Sequence, residues 1–281
     1  MAASTPDPVI RSASFVTSDG VRLRVLESCP GDGAPARSTT PVIAFVPGWS
    51  MPGSVWREQL KSLGAAHCVA ALDPRGQGES EVPDSGYDIA RSAQDVRDFL
   101  ARYPSVLLVG WSLGALECLE HLDRHGSDGI AGLVLVDTSV GEDPPPPSGA
   151  SFTDALRKDR RAAIEDFVRN SFRSPRPAAE IEALVQSALR MPLEASLSLF
   201  PRSVPREHWR RLARGFPKPL LYAVTPQFAA QAKSLQTNRP QTRIAVFENA
   251  GHALFLDEPA RFNALLSGFA AELASAPGAG K

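Results

Sequence analysis

Cysteine is scarce in this chain: Cys29, Cys68 and Cys118 are the only three among 281 residues. An odd, widely spaced set argues against a disulfide framework or a cysteine-based metal site and predicts reduced, mostly packed thiols. Long hydrophobic runs are missing as well, and no apolar stretch reaches the ~20 residues a bilayer span needs. The start, Met1-Ala2-Ala3-Ser4-Thr5-Pro6-Asp7-Pro8, has neither a basic nor an apolar block, so a secretory signal is not expected. Charge of one sign is also lacking. The 30 Lys and Arg against 31 Asp and Glu leave a formal net charge of −1, with no bulk attraction to nucleic acid or anionic lipid. The expectation is a soluble, cytoplasmic protein with neither nucleic acid nor membrane as partner. No feature sets an assembly state.

What is present suffices for a full core, with 43% hydrophobic and 22% charged residues. Phe15-Val16-Thr17 and Val21 to Leu26, joined at Asp19-Gly20, read as an antiparallel hairpin. Val42 to Val46, His67 to Leu72, Val106 to Val109 and Gly132 to Val136 are short apolar runs separated by helical patterns near Val55–Leu63, Ile89–Arg102 and Ala115–Leu119. Unbroken apolar strands alternating with helices predict a mostly parallel sheet covered on both faces. The alternation stops at Pro144-Pro145-Pro146-Pro147, where helical patterning rich in arginine runs to about Phe216. It resumes with Pro219 to Val224, Arg243 to Phe247 and a last helix from about Pro259 to Leu273. A disordered Gly/Ala tail is expected after it.

Chemistry enters at Gly110-Trp111-Ser112-Leu113-Gly114, directly after the strand Val106 to Val109 and before a helical run. Strand, Gly-x-Ser-x-Gly and helix are the context of a nucleophile elbow, a sharp turn that lifts a serine above a sheet edge. Backbone N–H groups at the helix start then face developing negative charge. Pro47-Gly48-Trp49-Ser50 ends an early strand, Asp73-Pro74-Arg75-Gly76-Gln77-Gly78-Glu79-Ser80 forms a glycine-rich turn after the next, and Asn249-Ala250-Gly251-His252 closes the last.

In this order the segments resemble the α/β-hydrolase superfamily, and within it the serine esterase and haem-free haloperoxidase-like (perhydrolase) branch. The resemblance covers residues 12 to 273. It implies an α/β-hydrolase core over 12–137 and 217–273, with a helical cap inserted over 138–216. It further implies hydrolysis of a carboxylic ester or similar small acyl substrate through an acyl-enzyme, with no metal or organic cofactor. Perhydrolysis, with peroxide in place of water, would use the same residues. Ser112 would be the nucleophile, His252 the base that takes and returns its proton, and the backbone N–H groups of Trp49 and Leu113 the oxyanion hole. One such donor is typically worth roughly 3–4 kcal/mol.

The third member departs from the pattern. In the family it usually follows the strand matching Leu220 to Val224, but that strand runs into Thr225-Pro226-Gln227-Phe228. No Asp or Glu occurs between Glu207 and Glu248. Asp137, ending the preceding strand in Leu135-Val136-Asp137-Thr138-Ser139, is the best replacement, because some members place their acid there. The same Asp-Thr-Ser could equally satisfy backbone groups in a turn. Trp111 and Trp49 could wall an apolar acyl pocket or belong to the core. His67, His121, His125 and His208 read as packing or surface residues, Asp73 and Arg75 as ties within their turn, and Asp257 and Glu258 as caps of the last helix. Arg206, Arg210, Arg211 and Arg214 read as a solvated helix face rather than an anion site. Two rivals remain open: C–C hydrolysis, lyase or acyl-transfer chemistry on the same residues, and a non-catalytic small-molecule-binding homologue.

Overall fold

The computed structural model describes residues 8–31, 33–146 and 151–275. The Gly/Ala tail, the N-terminal segment through Asp7 and the last proline of the run, Pro147, lie outside the described residues. Eight strands run in chain order: β1 Arg11–Val16, β2 Arg22–Ser28, β3 Val42–Val46, β4 Val69–Leu72, β5 Val106–Trp111, β6 Ile130–Val136, β7 Leu220–Val224 and β8 Thr242–Val246. The helices are α1 Arg57–Gly64, α2 Ile89–Leu100, α3 Leu113–His125, α4 Phe152–Lys158, α5 Arg160–Asn170, α6 Ala178–Leu189, α7 Leu193–Ser198, α8 Arg206–Gly215, α9 Ala229–Asn238, α10 Leu254–Asp257 and α11 Pro259–Ser275. The strands form one sheet in the order β1-β2-β4-β3-β5-β6-β7-β8. The β1–β2 and β2–β4 pairs are antiparallel and all later pairs parallel. The mostly parallel sheet agrees with the expectation from the unbroken apolar runs. Helix α9 follows β7 and has little sequence signal: its residues, Ala-Ala-Gln-Ala-Lys-Ser-Leu-Gln-Thr-Asn, carry a weak apolar stripe.

Side-chain alternation divides the strand residues between two cores. Ile43, Phe45, Leu107, Val109, Val134, Val136, Leu221 and Ala223 face α1, α10, α11 and the group α4–α7. Val42, Ala44, Val46, Leu108, Leu133, Leu135, Leu220 and Tyr222 face α2, α3, α8 and α9. Within the helical stretch, α4–α7 thus share one core, whereas α8 packs on the opposite layer against α3. Among the described residues no helix is long and apolar enough to cross a membrane.

Two sequence expectations are corrected here. Cys29 and Cys68 form a disulfide. The antiparallel β2–β4 register pairs Ser28 with Val69, and one step further sets the two cysteines opposite each other, an adjacency that a separation of 39 residues conceals. Cys118 remains a free, buried thiol. Three of the α8 arginines, Arg206, Arg210 and Arg214, are a clamp rather than a solvated face, whereas Arg211, 62% exposed, stays solvated. Arg214 grips the buried Glu142 carboxylate with two bonds of 2.6 and 2.7 Å, and Arg210 donates to Gly141 O and Asp143. Arg206 reaches Glu142 O and Asp143, and Arg211 pairs with Asp123. The turn residues behave as read: buried Asp73 accepts from Gly53 N–H, Glu79 N–H and Arg24, and Arg75 pairs with Asp95 and Asp19.

Glu117, fully enclosed on α3, carries a pH-dependent cost. Burial, outweighing a bond with Ser92, raises its carboxyl from 4.5 to about 8. Between those values the folded chain holds a proton that the unfolded chain has released, so stability falls as pH rises through the window. Glu117→Gln should flatten that decline. Urea midpoints compared at about pH 5 and pH 8 check it; parallel declines in both proteins would contradict the assignment.

Candidate active site

The C-terminal ends of β5, β6 and β8 converge on one edge of the sheet. Ser112 follows β5 with φ 55° and ψ −121°, a backbone shape that L-residues adopt rarely and that turns the chain straight into α3. The turn is held by Ser112 N–H on Val136 O at 2.9 Å and Ala115 N–H on Ser112 O at 3.1 Å. Both flanking glycines are sterically required. A Cβ on Gly110 would lie 2.6 Å from Ala115 Cα, and one on Gly114 would lie 2.3 Å from Pro47 O and 2.6 Å from Val46 O. All of these are backbone atoms that cannot swing away. Gly114→Ala should therefore destabilise the fold by about 1–3 kcal/mol or more, read from the urea midpoint. A loss below about 0.5 kcal/mol would show that the turn relaxes freely.

Ser112 Oγ lies 2.9 Å from His252 Nε2, and His252 Nδ1 lies 2.8 Å from Asp137 Oδ2. A carboxylate oxygen only accepts, so the hydrogen-bond pattern assigns the ring proton to Nδ1 and leaves Nε2 to accept from the Ser112 hydroxyl. The Asp137 side chain is 1% exposed and that of His252 25%, so the chain of bonds runs from the interior toward solvent. The other Asp137 oxygen accepts from Thr225 N–H at 2.7 Å and Thr225 Oγ at 2.8 Å. Thr225 occupies the end of β7, where the resemblance would have put the acid. There it supplies two donors to the carboxylate of the neighbouring strand. Tyr222 on β7 donates to Thr138 O beside this turn. Burial first, then the Asp137 charge, push its phenol well above the ordinary value and keep it a neutral donor.

The turn after β3 closes over the serine. A Cβ on Gly48 would stand 3.1 Å from Ser112 Cβ, which places the Gly48–Trp49 peptide against the elbow. Among the described residues no oxygen accepts from the backbone N–H of Trp49 or of Leu113. Two donors beside Ser112 are therefore unspent. The Trp49 indole donates to Ser196 O at 2.6 Å, stacks on Phe200 at 5.1 Å, and meets Phe152 and Phe167 edge-on.

Trp111 does not wall a pocket. It is 0% exposed, packs against Trp56 and Phe255, and donates its indole N–H to His252 O at 2.9 Å. Its side chain is enclosed in the core and supports the His252 backbone through that bond. The four remaining histidines take structural positions, with His67 on Ser267, His208 on Glu120, and His121 beside His125. Among the described residues, Glu120, Asp123 and His208 bring ligand-type atoms within 4.8 Å of one another. Arg124 and Arg211 already neutralise the two carboxylates, which disfavours a cation there. A separate cleft between α6 and the turn after β3 is lined by Arg24, Arg57, Glu58 and Glu180, and its walls include neither Ser112 nor His252.

Comparison with known proteins accords with this geometry. Residues 43–265 match the model of the family described as Alpha/beta hydrolase family. A pimeloyl-[acyl-carrier protein] methyl ester esterase from Vibrio atlanticus is 29% identical over 250 residues, covering 82% of this chain and 94% of that protein. A non-heme chloroperoxidase from Kitasatospora aureofaciens is 32% identical over 123 residues, 43% of this chain and 42% of the relative. Among solved structures, a putative aryl esterase from Burkholderia cenocepacia superposes with a TM-score of 0.80 at 25% identity, covering 95% of this chain and all of that one.

Proposed function

Since this chain belongs to the alpha/beta hydrolase family and is of esterase type, we propose that it hydrolyses a small carboxylic ester through an acyl-enzyme on Ser112. The observation that carries the reading is the unbroken relay of 2.9 and 2.8 Å from Ser112 through His252 to Asp137. His252 Nε2 takes the hydroxyl proton as Ser112 Oγ adds to the ester carbonyl, and the imidazolium is held by Asp137. The Trp49 and Leu113 N–H groups receive the oxyanion, for which their unspent state is support. The same proton then passes to the departing alkoxide. Water, deprotonated by His252, releases the acid and restores Ser112.

The helices α4–α7 act in this proposal as a cap over the acyl side. The cluster of Trp49, Phe152, Phe167 and Phe200 beside the oxyanion turn supports an apolar acyl group. The Vibrio relative is named for a methyl ester, so a small alcohol is a reasonable leaving group to test. Hydrolysis of p-nitrophenyl and methyl esters of graded acyl length tests the reading. Turnover of short and medium acyl chains is expected, and a protein inert to all of them would favour C–C hydrolysis, lyase chemistry or simple binding.

A further inference from the structure

The loop that carries His252 is built against a segment roughly eighty residues earlier, and one carboxylate joins the two. Asp257 ends α10, five residues past His252. Its Oδ2 accepts from Gly251 N–H at 2.7 Å and from Arg173 N–H at 2.9 Å. Its Oδ1 accepts from Ser174 N–H at 2.9 Å and from the Ser174 hydroxyl. The expectation that Asp257 caps the last helix is thereby corrected. Helix α11 opens on Pro259, and all four contacts of the carboxylate go to Gly251, Arg173 and Ser174 rather than to the N–H groups of that helix.

Other bonds run across the same junction. Ala253 N–H donates to Ser171 O at 2.8 Å, Arg173 to Glu248 O at 3.1 Å, and Arg176 to Leu256 O at 2.6 Å. A Cβ on Gly251 would stand 3.0 Å from Arg173 N and from Ser171 O, so the two backbones lie in direct contact. Among the described residues Asp257 alone gathers donors from both sides, one beside the imidazole and three from Arg173 and Ser174. Burial raises its carboxyl, but the bonds from Ser174, Arg173 and Gly251 outweigh burial and leave it below the ordinary value. It is therefore an anion at neutral pH, and its hydrogen bonds are of the stronger, charge-assisted kind.

We propose, resting on the reading of His252 as the base for Ser112, that Asp257 is a positioning residue. It fixes the Gly251 backbone against Arg173 and Ser174, and with it the imidazole that must meet both Ser112 and Asp137. A catalytic group displaced by about 1 Å loses on the order of 100-fold in rate, so the anchor acts on turnover rather than on ester binding.

Asp257→Asn tests this, because it keeps the shape but turns an NH2 toward backbone donors. Its kcat for p-nitrophenyl acetate should fall roughly 10- to 100-fold at unchanged KM. In the resting protein the NMR resonance of the His252 Nδ1 proton, held by Asp137 in the wild type, should broaden or vanish. Asp257→Glu, which keeps the charge, should recover part of both. Ser174→Ala removes a single donor and should move both in the same direction by a smaller factor, and it serves if Asp257→Asn fails to fold. Variants that lose thermal stability while keeping wild-type kcat and the resonance would make the anchor merely structural and overturn the proposal. A wild-type protein without esterase activity would instead refute the assigned reaction, and the resonance would still decide the role of Asp257.

Discussion

Ser112→Ala should lower kcat for a p-nitrophenyl ester by about 10⁵- to 10⁶-fold, with KM little changed. The substitution removes one atom, the Oγ that lies 2.9 Å from His252 Nε2. Alanine adds no strain that serine did not already bear at φ 55°, so the elbow, α3 and the glycine contacts should persist. What should survive is the part of catalysis that needs no nucleophile: ester binding and the proposed Trp49 and Leu113 oxyanion donors, worth roughly 10³- to 10⁴-fold over water in a serine hydrolase. Near-UV circular dichroism should be unchanged, which separates lost chemistry from lost structure. A variant that retained more than about a hundredth of wild-type turnover would place the nucleophile elsewhere.

Asp137→Asn is expected to cost several hundred-fold or more in kcat, approaching the ~10⁴ seen when a triad acid loses its charge. The surroundings of Asp137 dictate why. Thr225 presents two donors to one side-chain oxygen, through its N–H and its hydroxyl. An asparagine here must turn its carbonyl to those donors, because its NH2 would meet them head-on. The NH2 then faces His252 Nδ1, which can only accept, so the ring proton moves to Nε2. A protonated Nε2 cannot take the Ser112 proton. The loss is therefore one of tautomer as much as of charge, and it should appear in kcat while thermal stability changes little. Near-normal turnover in Asp137→Asn would refute the assignment and leave His252 without an orienting acid.

The residues legible in the sequence are those whose role is written in local pattern. Ser112 sits between an apolar strand and a helix, and His252 closes the last strand before a helix. Even the contact of Asp137 with His252 is foreshadowed, because no carboxylate lies between Glu207 and Glu248 and Asp137 ends the neighbouring strand. The residues that escaped depend on contacts between distant segments. Nothing local announces that Cys68 lies across from Cys29, that Trp111 supports His252 O, or that Asp257 binds Arg173 and Ser174. The α8 arginines look solvated until Glu142 and Asp143, more than sixty residues away, are brought to them. Thr225 was visible as a vacancy, but its service as donor to Asp137 required the β6–β7 register.

The central claim is that Ser112 is a nucleophile activated by His252. Treating the folded protein with a fluorophosphonate and mapping the adduct by peptide mass spectrometry tests it most directly. One stoichiometric adduct on Ser112, formed far more slowly in His252→Ala, is the predicted result. No adduct, or one on another residue, would contradict it.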